Sequence, residues 1–113
     1  MVNMTSFQND ASLKVITERL KEKFKPTRLF LYGSRANGNH KSDSDYDFVM
    51  VLKDFNSKSR YDLMSEISSI FRNELGVEVQ VWAYAESDFN DWKDEFSSIP
   101  EIALSTGREI DLG

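Results

Sequence analysis

Two extended, apolar-rich stretches, residues 28–32 and 45–52, are separated by only a dozen residues. Parallel neighbours in one sheet need a crossover at least that long, usually built around a full helix. The link here is polar and turn-like over residues 39–44, so a small mixed sheet is expected rather than a doubly wound parallel one. The other elements arrange themselves around that constraint. Residues 10–24 carry Leu13, Ile16, Leu20 and Phe24 at helical spacing, with Asn9 or Asp10 to cap them, and Pro26 forbids continuation. Gly33 ends the first strand, and Ser34 is placed to cap a short helix over residues 35–38. After a loop over residues 54–59, a third helix is predicted over residues 59–75. It has Leu63, Ile67, Ile70 and Phe71 on one face, and Gly76 stops it. Residues 77–84 read as a strand with Val77, Val79 and Val81 on one face and Glu78, Gln80 and Trp82 on the other. Residues 87–96 look helical, Pro100 suits the first turn of a last helix ended by Gly107, and residues 108–112 can add an edge strand. The expected fold is α+β, one mixed sheet covered mainly on one face by helices.

A chain of 113 residues suits one domain, residues 1–113, and eight Phe, four Tyr and two Trp supply a core. The absence of cysteine excludes disulfides, thiolate-bound zinc and thiol nucleophiles. No apolar run approaches the ~20 residues of a membrane span, and residues 1–10 lack the apolar stretch of a signal peptide. A cytoplasmic location is therefore expected, with no membrane partner. The net charge of −5 argues against standalone nucleic-acid binding. Lys21, Lys23, Lys25 and Arg28 read as the solvated end of a helix.

The chemistry lies between the first two strands. At Gly33-Ser34 the chain turns from strand to helix start, where a glycine permits close backbone approach and free N–H groups favour phosphate. The Ser34 hydroxyl and the Arg35 guanidinium can add to the same anion. Alone, this is an ordinary capped turn. Asp45 and Asp47, two residues apart on a strand, share a face. Adjacent carboxylates repel and raise each other's pKa, a cost that a divalent cation removes, and Mg²⁺ is usual where phosphates complete the coordination. Alone, Asp-x-Asp is a solvated strand end. It gains weight directly ahead of the apolar run Phe48-Val49-Met50-Val51-Leu52.

Gly33-Ser34, ten residues, then Asp45-Tyr46-Asp47 resembles the signature of the DNA polymerase β-type nucleotidyltransferase superfamily, and the chain's size is similar to that of its minimal nucleotidyltransferase branch. Phe30-Leu31-Tyr32-Gly33-Ser34, Leu75-Gly76-Val77 and the run from Ile102 through Ser105-Thr106-Gly107-Arg108 to Ile110 extend the likeness over most of the chain. The resemblance implies that Gly33 and Ser34, helped by Arg35, hold the phosphates of ATP. It implies that Asp45 and Asp47 bind two Mg²⁺ ions, Mn²⁺ being an alternative. It further implies transfer of AMP to a hydroxyl, the acceptor being a tyrosine of a helical HEPN-type toxin for which this chain is the antitoxin.

The family's third carboxylate, aligned on Gly76-Val77, falls here on Gln80, an amide that cannot serve as a general base. Glu78 is the expected substitute, read against the alternative of a surface charge at a strand start. Two classes of function follow: a transferase, or a binding module that neutralises its partner by contact alone. His40 and Lys41 read as solvated loop residues, and Trp82, Tyr84 and Trp92 as core or interface.

Overall fold

The apolar stripes of the sequence become two cores, one on each face of a single sheet. In the structure, a computed structural model describing residues 11–37, 45–55 and 58–113, the elements run α1 (Ala11–Phe24), β1 (Arg28–Tyr32), α2 (Ser34–Asn37), β2 (Tyr46–Leu52), α3 (Arg60–Leu75), β3 (Val79–Ala85), α4 (Glu86–Trp92), α5 (Ile99–Thr106) and β4 (Arg108–Glu109). The sheet order is β3-β2-β1-β4. β1 pairs antiparallel with β2 and with β4, whereas β2 and β3 are parallel. The short link thus gives an antiparallel pair, and the one parallel pair is the one joined through a long helix. This is the expected mixed-sheet α+β fold.

Alternation along the strands assigns the faces. Leu29, Leu31, Phe48, Met50, Val79 and Val81 pack against Leu13, Ile16 and Leu20 of α1 and Leu63, Ile67 and Phe71 of α3. The opposite face carries Phe30, Val49, Val51 and Tyr84, covered by Phe89 of α4 and Ala103 of α5. The two long helices therefore cover one face, and the two short ones cover part of the other. Among the described residues no helix is long and apolar enough to cross a membrane.

The helix ends follow local chemistry. The Ser59 hydroxyl accepts the Asp62 N–H at the start of α3, and Gly76 closes that helix with left-handed backbone (φ 65°). Ser98 caps α5 in the same way through the Glu101 N–H. The proposed caps Asn9 and Asp10 lie outside the described residues. Several boundaries differ from the sequence expectations. β3 starts at Val79 rather than at residue 77, and α4 ends at Trp92 because residues 93–98 form successive turns, with Ser97 at φ 67°. β4 has two residues rather than five. Trp92, expected in the core or at an interface, is half exposed and so outside the core.

Candidate functional site

β1 delivers Tyr32 to the sheet edge opposite Asp47 in the antiparallel register. The chain must then leave the sheet at once, and Gly33 does so with φ 76°, a left-handed conformation that a side chain makes costly. α2 follows directly. It begins at Ser34 itself, where the sequence suggested a cap with the helix over residues 35–38, and its turn is closed by the Ala36 N–H donating to the Gly33 carbonyl at 3.1 Å. A Cβ on Gly33 would stand 3.1 Å from Asp47 Oδ2. The glycine turn and the second aspartate of the pair, fourteen positions apart in the chain, are thus in contact, and a side chain at residue 33 would crowd the Asp47 carboxylate.

Asp47 is half-buried on the face of β2 that also holds Val49 and Val51, and Asp45 stands exposed just before the strand. The Asp47 pKa is raised above the ordinary carboxyl value, first by burial and then by the negative charge of Asp45. Asp47 therefore senses the charge of Asp45, as the two-residue spacing implies. Two oxygen-donor side chains in this state, one of them destabilised as an anion, suit a hard divalent cation that would also take phosphate oxygens. Among the described residues no three His, Cys, Asp or Glu side chains converge.

The other expected site residues fall differently. Gln80 is the β3 register partner of Asp47, so alternation puts an amide on the same face beside the carboxylate. Glu78 precedes β3 and is held in a fork by Arg72 of α3, at 3.1 and 3.3 Å. That ion pair pulls the Glu78 pKa down. The Glu78 backbone carbonyl accepts the Tyr46 N–H at 3.0 Å, between the two aspartates, but its carboxylate is turned to the guanidinium supplied by the helix on the other face. The Arg35 guanidinium lies 4.1 Å from the centre of the Tyr46 ring, and Tyr46 packs into the core opposite the Asp47 face. Ser34, at the first position of α2, stays next to Gly33.

Sequence reasoning missed four supporting residues. Tyr32 has its pKa pushed up to about 12 by burial, then by Asp47 and Tyr84, and it shares a hydrogen bond with Trp82 that acts in the opposite direction. These two aromatics wall the site beside Asp47. A Cβ on Gly107 would meet the Ala103 carbonyl at 2.5 Å and the Leu31 carbonyl at 2.8 Å, so only glycine lets the end of α5 close on β1. Arg108 Nε donates to the Ala36 carbonyl at 2.6 Å and thereby ties the Gly33–Ser34 turn to the C-terminal strand. The run Thr106-Gly107-Arg108 was the available signal for the last two. Tyr32 and Trp82 become visible only through strand pairing.

A family model described as polymerase beta, nucleotidyltransferase, matches residues 14–96. No curated protein sequence matches significantly. The fold is similar to the crystal structure of a candidate nucleotidyltransferase from Sulfolobus solfataricus, with TM-score 0.55 and 22% identity over 80% of each chain. At that identity the likeness concerns the fold. The family match spans α1 to the turns after α4, and so includes Gly33, Ser34, Asp45 and Asp47.

Proposed function

The chain belongs to the polymerase β nucleotidyltransferase family, and from that membership and its site we propose that it transfers AMP from ATP to a hydroxyl group with Mg²⁺ (or Mn²⁺) bound by Asp45 and Asp47. The observation that carries this reading is the contact between the Gly33 turn and Asp47, whose carboxyl is already perturbed by burial and then by Asp45. Backbone N–H groups at Gly33-Ser34 and the Ser34 hydroxyl bind the terminal phosphates. Asp45 and Asp47 would hold the metal, which when bound would neutralise charge on the phosphates and on the attacking oxygen. Tyr32, hydrogen-bonded to Trp82, flanks the Asp47 side of the site. In the transfer, a bond forms between the acceptor oxygen and the α-phosphorus, the bond to the bridging oxygen breaks, pyrophosphate leaves, and the acceptor proton passes to solvent. Catalysis rests on positioning and charge. Glu78, with its lowered pKa, is given no proton to take.

The proposed acceptor is a tyrosine of a HEPN-type helical partner, and the modification would make this chain an antitoxin. Incubating the protein with ATP, Mg²⁺ and the product of the adjacent gene should add the mass of one AMP to that product, and Asp47→Asn should remove the addition. A second reading, neutralisation by contact alone, is favoured by one feature, the neutral Gln80 at the register position beside Asp47. Complex formation with no mass gain in either protein would select it over the first.

A further inference from the structure

Lys53 follows the far end of β2, six residues beyond Asp47 and so about 20 Å away along the strand. Around it, the end of β2, the end of α1 and the first turns of α3 enclose a cleft of about 420 Å³, a volume typical of small-molecule sites. Lys23, Lys25, Lys53 and Lys58 line it, against the carboxylates of Asp54 and Glu66. Glu66 is engaged by Lys58 at 2.6 Å, and among the described residues Lys23, Lys25 and Lys53 make no ion pair. In a chain of net charge −5, this is a local concentration of uncompensated positive charge.

The same cleft has an aromatic lining. Phe24 and Phe55 line it, and each is half-buried against the core. Lys25 holds a left-handed backbone (φ 50°) just past the end of α1, where glycine is the usual occupant. A lysine in this position costs strain, and such strain gathers at functional places.

We infer that this cleft is a second ligand site, separate from the Gly33–Asp47 site, for an aromatic phosphate of mononucleotide size, with the lysines taking the phosphate and Phe24 and Phe55 taking the ring. Neither feature alone selects that ligand. Lysines alone would take any anion, and half-buried phenyl rings alone would take any apolar body. Their combination favours a molecule that carries both parts, since ring stacking on an aromatic side chain adds to the ionic attraction. The site does not depend on the proposed transferase activity.

The test is an amide NMR titration of the whole protein in chelator, with AMP, inorganic phosphate and adenosine as separate probes. AMP should move the amides of residues 23–25 and 52–55, and should bind about tenfold or more tightly than phosphate or adenosine. The double variant Lys23→Glu with Lys53→Glu should weaken AMP at those amides by about tenfold or more. Phe55→Leu, which keeps an apolar side chain, should bring AMP down to the affinity of phosphate. AMP no tighter than phosphate, movement confined to the surroundings of Gly33 and Asp47, or AMP binding unchanged in Phe55→Leu would each overturn the assignment.

Discussion

Gly33 and Asp47 carry most of the chemistry that one residue can carry here, and each yields its own test. Gly33→Ala puts a Cβ 3.1 Å from Asp47 Oδ2 on a backbone with φ 76°. It should lower stability by about 1–2 kcal/mol in denaturant titration and abolish nucleotide binding, whereas loss of stability alone would remove the glycine from the site. Asp47 holds its proton more readily folded than unfolded, first because it is half-buried and then because Asp45 is near. Its contribution to stability is therefore present below the ordinary carboxyl value of 3.8 and is lost as pH rises through the higher folded value. In chelator, Asp47→Asn should melt above the wild type at neutral pH, and that advantage should shrink as pH falls toward the ordinary value. A wild type that melts higher throughout would contradict the electrostatic account. Glu78 is tested by Glu78→Gln. Its fork with Arg72 predicts a change in transfer rate far smaller than the ~10²–10⁴-fold expected on losing a general base. The aspartate pair and the Gly-Ser turn were legible in the sequence because both are local patterns. The fate of Glu78 was not, since period-2 alternation fixes the face only once the strand has begun, and β3 begins one residue later.

At the scale of elements, side chains far apart in sequence hold the site's supports together. Arg60 of α3 donates to the Ala83 carbonyl at 2.8 Å, pairs with Asp88 at 3.4 Å and lies over the Tyr84 ring at 4.6 Å. Arg60→Ala should therefore cost about 1–2 kcal/mol by loosening α3 and α4 from β3, measurable in denaturant titration, while leaving Gly33 and Asp47 in contact. Gly107→Ala should cost about 1–3 kcal/mol by overpacking, because both obstructing atoms are backbone carbonyls. A variant as stable as the wild type would show that α5 can move off β1. The sequence announces α1 and α3 through apolar residues at helical spacing ended by Pro26 and Gly76, β1 through an apolar run ended by Gly33, and β2 through the run from Phe48 to Leu52. It overextended α4, because Phe96 continues the helical spacing past Trp92 while Ser97 adopts left-handed backbone. It overextended β4 as well: the strand holds Arg108 and Glu109, the Ile110 N–H still donates to the Leu29 carbonyl at 2.8 Å, and the chain then leaves the sheet. Pairing partners, unlike periods, are not written locally.

Over the whole molecule, the sheet has two ends with different characters. The start of β2 holds the aspartate pair and the glycine turn, and its far end opens on the lysine-lined cleft. The long helices cover one face, and the short α4 and α5 cover only part of the other, which leaves Asp47 at the edge of an apolar layer. That placement makes the carboxylate uncomfortable as a bare anion and a better partner for a cation. The central claim is that Asp45 and Asp47 bind metal together with a nucleoside triphosphate at the Gly33 turn. Its most direct measurement is the melting temperature with ATP and Mg²⁺, each added alone and together, for the wild type and for Asp47→Asn. A ligand at a hundredfold excess over its Kd stabilises the native state by ~2.7 kcal/mol, which for a domain of this size is a rise of roughly 10 °C. The account predicts that rise for the wild type only when both are present, and little or none for Asp47→Asn. An equal rise in both proteins, or none in the wild type at millimolar ATP and Mg²⁺, would contradict it.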